Sequence, residues 1–292
     1  MATPVMTNLS PDSTTYGSCG KLRFTHTGRN VHTIAGEIPA MTGLSELKAA
    51  LDLFGISVDK LTTNLRSLPG YCRDWYTYRR LASASDIPID RLYPVLGEAG
   101  QDAGATSGHY FLQDLWAARK ILESSPEVHF DVGSRLDGFV AHVLVFCEVV
   151  MFDIRGIENK VDGLEFVRTD ATKLAAIQEG TIDSLSSLHA AEHFGLGRYG
   201  DRIDPAGHRK FMKSLQRVLA PDGRLYFSVP VGRERVEFNA HRVLSPHSVL
   251  EQFGDLELVA LDGIVDDELH RSVDPDRLAK QEYACGLFEF KR

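Results

Sequence analysis

Cysteine is scarce in this 292-residue chain. The four present, Cys19, Cys72, Cys147 and Cys285, stand far apart and form no CxxC pair. That spacing argues against a zinc ribbon or a disulfide-dense secreted scaffold and reads as reduced thiols in a cytoplasmic protein. Positive charge is in deficit: 32 Lys and Arg face 40 Asp and Glu, a formal net charge of −8. Broad nucleic-acid binding needs clustered cations to neutralise phosphates, so that partner class is not expected. Long apolar runs are also missing. The longest, from Phe139 to Asp153, is broken by His142 and Glu148 and is too short and polar to cross a bilayer. The first eighteen residues hold no apolar stretch of the signal-peptide kind, so no secretory signal is expected. What is there, 43% hydrophobic and 25% charged residues, is the composition of a folded protein with a substantial core.

Residues 1–37 show no sustained period and read as a loose arm, with at most a short strand over 21–25. From Leu44 the apolar spacing of Leu47, Ala50, Leu51 and Phe54 predicts a helix, with Ser45 as its cap and Gly55 as its stop. Over 61–82, Tyr71, Trp75, Tyr76 and Tyr78 interleave with Arg73, Arg79 and Arg80. Their spacing favours helix packing with Trp75 and Tyr78 in a core, and also suits a lid that stacks on a ligand. A Pro- and Gly-containing connection ends near Gly108, which divides the chain into an arm with a helical cap (1–107) and a second domain (108–292).

The second domain opens with a helix whose apolar face is Phe111, Leu115, Ala118 and Leu122. Strands and helices then alternate. Strands are expected at 128–132, 148–154, 163–170, 181–189, 224–232, 255–263 and 283–292, and helices at 138–146, 172–180, 207–223 and 245–254. Such alternation predicts an α/β fold with a mostly parallel sheet and helices on both faces.

Ligands of open α/β sheets bind beyond the carboxyl ends of the strands. The first strand runs into Asp131, Gly133, Ser134, Arg135 and Gly138; the second closes on Asp153 and the third on Asp170. Glycines let the backbone turn sharply beside a ligand, and a carboxylate matches the two vicinal hydroxyls of a ribose. Three acids at successive strand tips describe a nucleoside site. A dinucleotide fingerprint, G-x-G-x-x-G, fails because Ser134-Arg135 occupy its centre.

The segments DVGSRLDGFVAHVLVF, VVMFDIRG, SLHAAEHFGLGRYGD and SVPVGRERVEFNAHRV make the pattern more specific. They resemble the DUF268 family, methyltransferase-like proteins named from nematodes and met in bacterial polysaccharide gene clusters. The resemblance implies a Rossmann-like class I methyltransferase sheet with an antiparallel last strand, and S-adenosyl-L-methionine as cofactor. It also implies that Asp131, Gly133, Ser134, Arg135 and Gly138 form the cofactor loop. Asp153 would hold the ribose, Asp170 the adenine side, and Leu188 would lie under the sulfonium. The chain departs from the usual glycine-rich loop at Arg135 and Asp137.

Transfer of a methyl group to oxygen calls for alignment, exclusion of water and removal of a proton. His189, Glu192, His193 and His241 are the candidates for that role, with Arg233, Arg235 and Tyr199 expected to grip the substrate. His189 to His193 also spell the H-x-x-E-H of inverted zinc peptidases, but Gly195 and Gly197 break any helix able to carry it. Asp201, Asp204 and His208 lie close enough in sequence to raise a metal site, and no metal is expected there. The sequence thus points to an O-methyltransferase for a sugar hydroxyl, with a carbohydrate or nucleotide-linked sugar as partner. The alternative is a methyltransferase-fold protein that acts as a scaffold in glycan assembly. Homo-oligomerisation is left open.

Overall fold

The computed structural model describes residues 44–98, 104, 106 and 108–292. The short strand expected over 21–25 lies outside the described residues. Two compact units divide the chain, the second beginning after Gly104.

The first unit holds α1 (Leu44–Leu53) and α2 (Val58–Leu81). Ser45 lies inside α1 rather than capping it, while Gly55 ends the turn with φ of +76°, a conformation open to glycine. Ser57 caps α2 by accepting from the Lys60 N–H at 3.3 Å. The core role expected of Trp75 and Tyr78 is not met. No residue of α2 is buried, Tyr78 is half exposed, and the Trp75 ring carries the Arg79 guanidinium at 5.5 Å.

The second unit is built on one eight-stranded sheet. Its strands are β1 (Val128–Val132), β2 (Glu148–Asp153), β3 (Leu164–Arg168), β4 (Ile182–Leu188), β5 (Leu219–Val231), β8 (Glu257–Val265), β9 (Glu268–His270) and β10 (Ala284–Lys291). Their order is β3-β2-β1-β4-β5-β10-β8-β9. The first five run parallel, and β10 inserts antiparallel between β5 and β8. The expected Rossmann-like sheet with an antiparallel last strand is therefore the observed one. A separate hairpin, β6 (Arg235–Glu237) with β7 (His241–Val243), was not anticipated.

Side chains alternate across each strand, so β5 feeds two layers. Leu225, Phe227, Val229 and Val231 pack with α5 (Gly207–Val218) residues Phe211 and Leu215 on one face. Tyr226 turns to the other face, against Trp116 of α3 (His109–Ser124). Truncating a ring such as Phe227, fully buried, would cost about 3–5 kcal/mol. The buried stripe of α3 is rotated from the one expected. It runs through Gln113, Trp116, Ala117 and Ile121, with Ala118 buried as expected but Phe111 and Leu122 about half exposed, and the Trp116 Nε1–H reaches buried Asp262 at 2.8 Å.

Three further expectations change. The helix over 138–146 shrinks to one π turn (Leu136–Val140) and α4 (Ala141–Val143). Residues 172–180 form isolated turns, because Asp170 Oδ1 accepts from both the N–H and the hydroxyl of Thr172 and bends the chain. Helix α5 stops at Val218, and the chain enters β5 at Leu219 through a register shift against β4. Two short helices, α6 (Pro246–Gln252) and α7 (Pro275–Ala279), complete the unit. Among the described residues, no helix is long and apolar enough to cross a membrane.

Candidate functional site

The parallel strands β1 to β4 end along one edge of the sheet. After β1 the chain turns at Gly133, whose φ is +74° and whose N–H donates to the Phe152 carbonyl at 3.0 Å. A Cβ added there would stand 3.0 Å from the Ala190 Cβ, so glycine lets the tips of β1 and β4 close together and leaves bare main chain above them.

Asp131 does not line the opening, contrary to its expected cofactor role. It is fully buried and spends its carboxylate on its own turn. Oδ2 accepts from the Ser134 N–H (3.0 Å), and Oδ1 accepts from the hydroxyls of Ser134 (2.5 Å) and Ser186 (2.6 Å). Burial pushes this carboxyl up to about 6, against the pull of those bonds. Ser134 Oγ in turn accepts from the Leu188 N–H at 3.0 Å, which ties the two strand tips. Gly138 also lies away from the opening: a side chain there would strike Asp114.

Two cavities open over these tips, of about 620 and 360 Å3, within the range of small-molecule sites. They share Gly133, Asp153, Arg155, His189, His193 and Tyr199. The smaller is walled by Ile154, Ala171 and Phe194 and reaches Asp170. Asp153, nearly buried at the end of β2, is held by its neighbour. Arg155 reaches Oδ1 through its main-chain N–H (2.8 Å) and Nε (2.9 Å), and Oδ2 through Nη2 (2.6 Å). Burial raises this carboxyl, but the Arg155 bonds outweigh it and hold it below the usual carboxylate range. The Arg155 guanidinium lies 4.6 Å from the Tyr199 ring centroid.

The larger cavity is lined by Arg135, Leu188, Glu192, Arg198, His241 and Tyr283, among others. Arg135 pairs with Asp137 at 3.2 Å and stacks on Tyr110 of α3. After β4 the chain passes His189, strained at φ of +50°, into a single 3-10 turn over Ala191–His193. Both ring nitrogens of His189 are occupied, unlike those of a free base. Nδ1 lies 3.1 Å from Glu192 Oε1, and Nε2 lies 3.3 Å from the Cys285 sulfur. Burial drops this imidazole to about 3.

Glu192 is 1% exposed, and its Oε2 has no hydrogen-bond partner. Burial pushes its carboxyl up to about 7, with His193 opposing. The His193 Nδ1–H donates to the Ala240 carbonyl at 2.7 Å, so its bare Nε2 faces Glu192 Oε1 at 3.6 Å. Burial lowers this imidazole, and Glu192 opposes that shift. Arg242, itself buried, fixes the turn: its Nη1 donates to the carbonyls of Glu192 (3.2 Å) and Phe194 (2.7 Å).

Most of the expected residues therefore meet at the two cavities: Gly133, Ser134, Arg135, Asp153, Asp170, Leu188, His189, Glu192, His193, Tyr199 and His241. Arg233 and Arg235 do not. Both turn to Glu282, and Arg235 also pairs with Glu237, outside either cavity. Among the described residues, no cluster of three metal-ligating side chains occurs. Asp201 accepts instead from the N–H groups of Gly195 and Tyr199, and Asp204 pairs with Lys210. Sequence reasoning missed Tyr110, Arg155, Arg198, Arg242 and Tyr283. Arg155, two residues past Asp153, was within reach of a strand-tip reading. Tyr110 and Tyr283 arrive from opposite ends of the unit and carry no local signal.

These residues suit an adenosyl cofactor: a carboxylate for ribose hydroxyls, an apolar slot ending at an acid, and a glycine floor between two strands. A family model described as Caenorhabditis protein of unknown function, DUF268, matches residues 142–261, less than half of the chain. The match falls on the segments from VVMFDIRG to SVPVGRERVEFNAHRV. No curated protein matches. Among solved structures, the chain is similar to the N-methyltransferase NodS from Bradyrhizobium japonicum WM9, in complex with S-adenosyl-L-homocysteine. The identity is 14% and the TM-score 0.43, over 62% of this chain and 86% of that one. It is also similar to the 1,6-didemethyltoxoflavin-N1-methyltransferase of Burkholderia thailandensis, at 14% identity and a TM-score of 0.42, over 62% of this chain and 79% of the other.

Proposed function

We propose that the protein is an S-adenosylmethionine-dependent O-methyltransferase that acts in the cytoplasm on a sugar hydroxyl of a surface glycan or of its nucleotide-linked precursor. The observation that carries the reading is Glu192. It is sealed from water, keeps one oxygen without a partner, and stands on the wall of a cavity that also reaches Gly133 and Asp153. A buried acceptor without a donor costs roughly 1–3 kcal/mol, a cost that a bound donor relieves.

When bound, the cofactor supplies an electrophilic methyl group. Asp153 and Gly133 would hold its ribose and main body, and Asp170 its purine. Glu192 Oε2, not hydrogen-bonded in the structure, offers an acceptor to a hydroxyl group, and His241, whose Nε2 lies 3.3 Å from Glu237 Oε2, stands on the same cavity wall. An ammonium acceptor would meet Arg135, Arg155 and Arg198 in the same cavity, which favours a hydroxyl. Tyr110, Tyr199 and Tyr283 add ring faces suited to a sugar.

Calorimetry with S-adenosylmethionine and S-adenosylhomocysteine tests the cofactor. Micromolar binding is expected, weakened at least about tenfold by Asp153→Ala, as the loss of a pair of charge-assisted bonds implies. Mass spectrometry of nucleotide sugars incubated with enzyme and cofactor tests the acceptor, a gain of one methylene unit being the expected product. A folded chain that binds neither cofactor would sink the reading. It would favour the second one, a scaffold in glycan assembly, which the grip of Arg155 on Asp153 supports.

A further inference from the structure

Tyr199 carries two guanidinium groups on one ring. Arg155 Cζ lies 4.6 Å and Arg198 Cζ 5.3 Å from its centroid, and all three side chains line the larger cavity. Two cations on one ring repel, and a ring face offers each only about 0.5–1 kcal/mol at an exposed site. Such an arrangement calls for counter-charge. Arg155 has one in Asp153, whose two oxygens it occupies. Arg198 makes no ion pair: among the described residues no carboxylate lies within ion-pair distance of it, Glu192 feels its charge only at longer range, and its Nη1 donates to the neutral Ala240 carbonyl at 3.0 Å. Its sequence neighbour Asp201 is spent on the N–H groups of Gly195 and Tyr199. The other arginine of the cavity, Arg135, is balanced by Asp137.

We propose that Arg155 and Arg198 form an anion subsite around Tyr199 that binds a phosphate or carboxylate group of the acceptor, and that the cofactor completes it. The second clause rests on the methyltransferase reading. Ribose hydroxyls need the same Asp153 oxygens that Arg155 Nε and Nη2 now use. Once displaced, the Arg155 guanidinium remains beside Tyr199 with its charge unbalanced, next to Arg198. Guanidinium pairs match the planar, multi-oxygen edge of either anion. The cofactor and the acceptor then strengthen each other, because such coupling is reciprocal.

Calorimetric titration of the full chain with pyrophosphate, as the phosphate probe, and glucuronate, as the carboxylate probe, tests this. At least one probe binds the wild type, and saturation with S-adenosylhomocysteine tightens it by about tenfold, within the usual range of coupling between sites. Arg198→Gln removes probe binding but leaves S-adenosylhomocysteine binding intact. Arg155→Gln loses the enhancement by S-adenosylhomocysteine. Which probe binds identifies the anion. The proposal fails if neither probe binds, if Arg198→Gln binds as the wild type does, or if S-adenosylhomocysteine gives no enhancement. It also fails if S-adenosylhomocysteine competes with the probe, since the arginines would then hold the cofactor's own carboxylate. Probe binding that depends on Arg198 in a chain that binds no S-adenosylhomocysteine would keep the subsite and sink the methyltransferase reading.

Discussion

Asp131 and Glu192 sit at or just beyond the tips of the adjacent strands β1 and β4, at 0% and 1% exposure. Burial raises both carboxyls, to about 6 and about 7. Their bonding differs. Asp131 accepts three hydrogen bonds from Ser134 and Ser186, and Ser134 passes the link to the Leu188 N–H. Glu192 keeps Oε2 without a partner beside a cavity. A saturated buried acid shapes the turn that a ligand would rest on, whereas an unsaturated one is held ready for a ligand's donor. Burial and a raised pKa alone would have marked both as reactive.

The sharpest way to break this comparison is to remove each carboxylate. Asp131→Ala strands three donors in a dry site, at an expected cost of about 3–5 kcal/mol. That is a large share of an ordinary domain's stability, and it is read by denaturant unfolding. Near pH 7, Glu192→Gln should shift the midpoint far less than Asp131→Ala does, because it removes a charge whose second oxygen has no partner. Methyl transfer should fall on the order of 10²–10⁴-fold, as for the loss of a general base, with S-adenosylhomocysteine affinity kept. Equal loss of stability in both variants would erase the distinction.

Proton linkage separates the two acids at a smaller energy. Glu192 is raised from 4.5 to about 7, so the folded chain holds a proton that the unfolded chain releases between those values. Its contribution to stability is complete below pH about 4.5 and is lost as pH rises through about 7. Asp131 acts in the same sense, from 3.8 to about 6. Buried His129 and His189, lowered to about 3, act oppositely: their contribution is present above 6.5 and lost as pH falls. A difference measurement isolates Glu192. Relative to wild type, Glu192→Gln should gain on the order of 2 kcal/mol between pH 5 and pH 8, with most of the change falling between pH 5 and pH 7 and levelling off above that. Transfer by the wild type should rise over the same interval, because only the ionised Glu192 accepts a proton. A flat difference curve would show that Glu192 is already ionised at pH 5.

Why the sequence disclosed some of this and not the rest follows from what each signal is made of. The β1 to β4 alternation is local, so strand identity and the strand-tip positions of Gly133, Asp153 and Asp170 were legible, whereas the order of the strands in the sheet was not. The Glu192-His193 pair was legible because it follows β4 directly. Asp131 misled because a strand-tip acid reads alike whether it faces a ligand or its own turn; Ser186, which settles the matter, is 55 residues away. Arg233 and Arg235 misled because Glu282, their partner, lies 47 or more residues downstream. The hairpin that delivers His241 and the Ala240 carbonyl has only three residues per strand, too few for a period to show. The failed helix over 172–180 is different in kind. Its apolar spacing is real, but the Asp170 carboxylate captures Thr172 and bends the backbone first.

The finest test concerns one hydroxyl beneath Asp131. Ser186 Oγ donates to Asp131 Oδ1 and sits 2.8 Å from His129 Nε2, while His129 Nδ1 sits 2.8 Å from Ser184 Oγ. With its hydrogen committed to the carboxylate, Ser186 can only accept from the imidazole, so His129 carries its proton on Nε2 and takes the Ser184 hydroxyl on Nδ1. In Ser186→Ala that Nε2–H loses its acceptor. The ring recovers most of the loss by moving the proton to Nδ1 and donating it to Ser184 Oγ. The net cost should be about 1 kcal/mol, that of one hydrogen bond, rather than the cost of a stranded donor. Nitrogen-15 spectra should show the tautomer change directly, while S-adenosylhomocysteine affinity stays at the wild-type value because nothing facing the cavities has moved. A loss of affinity comparable to that of Asp153→Ala would mean that the Asp131 network reaches the ligand after all, and that the saturated acid belongs to the site as much as the unsaturated one.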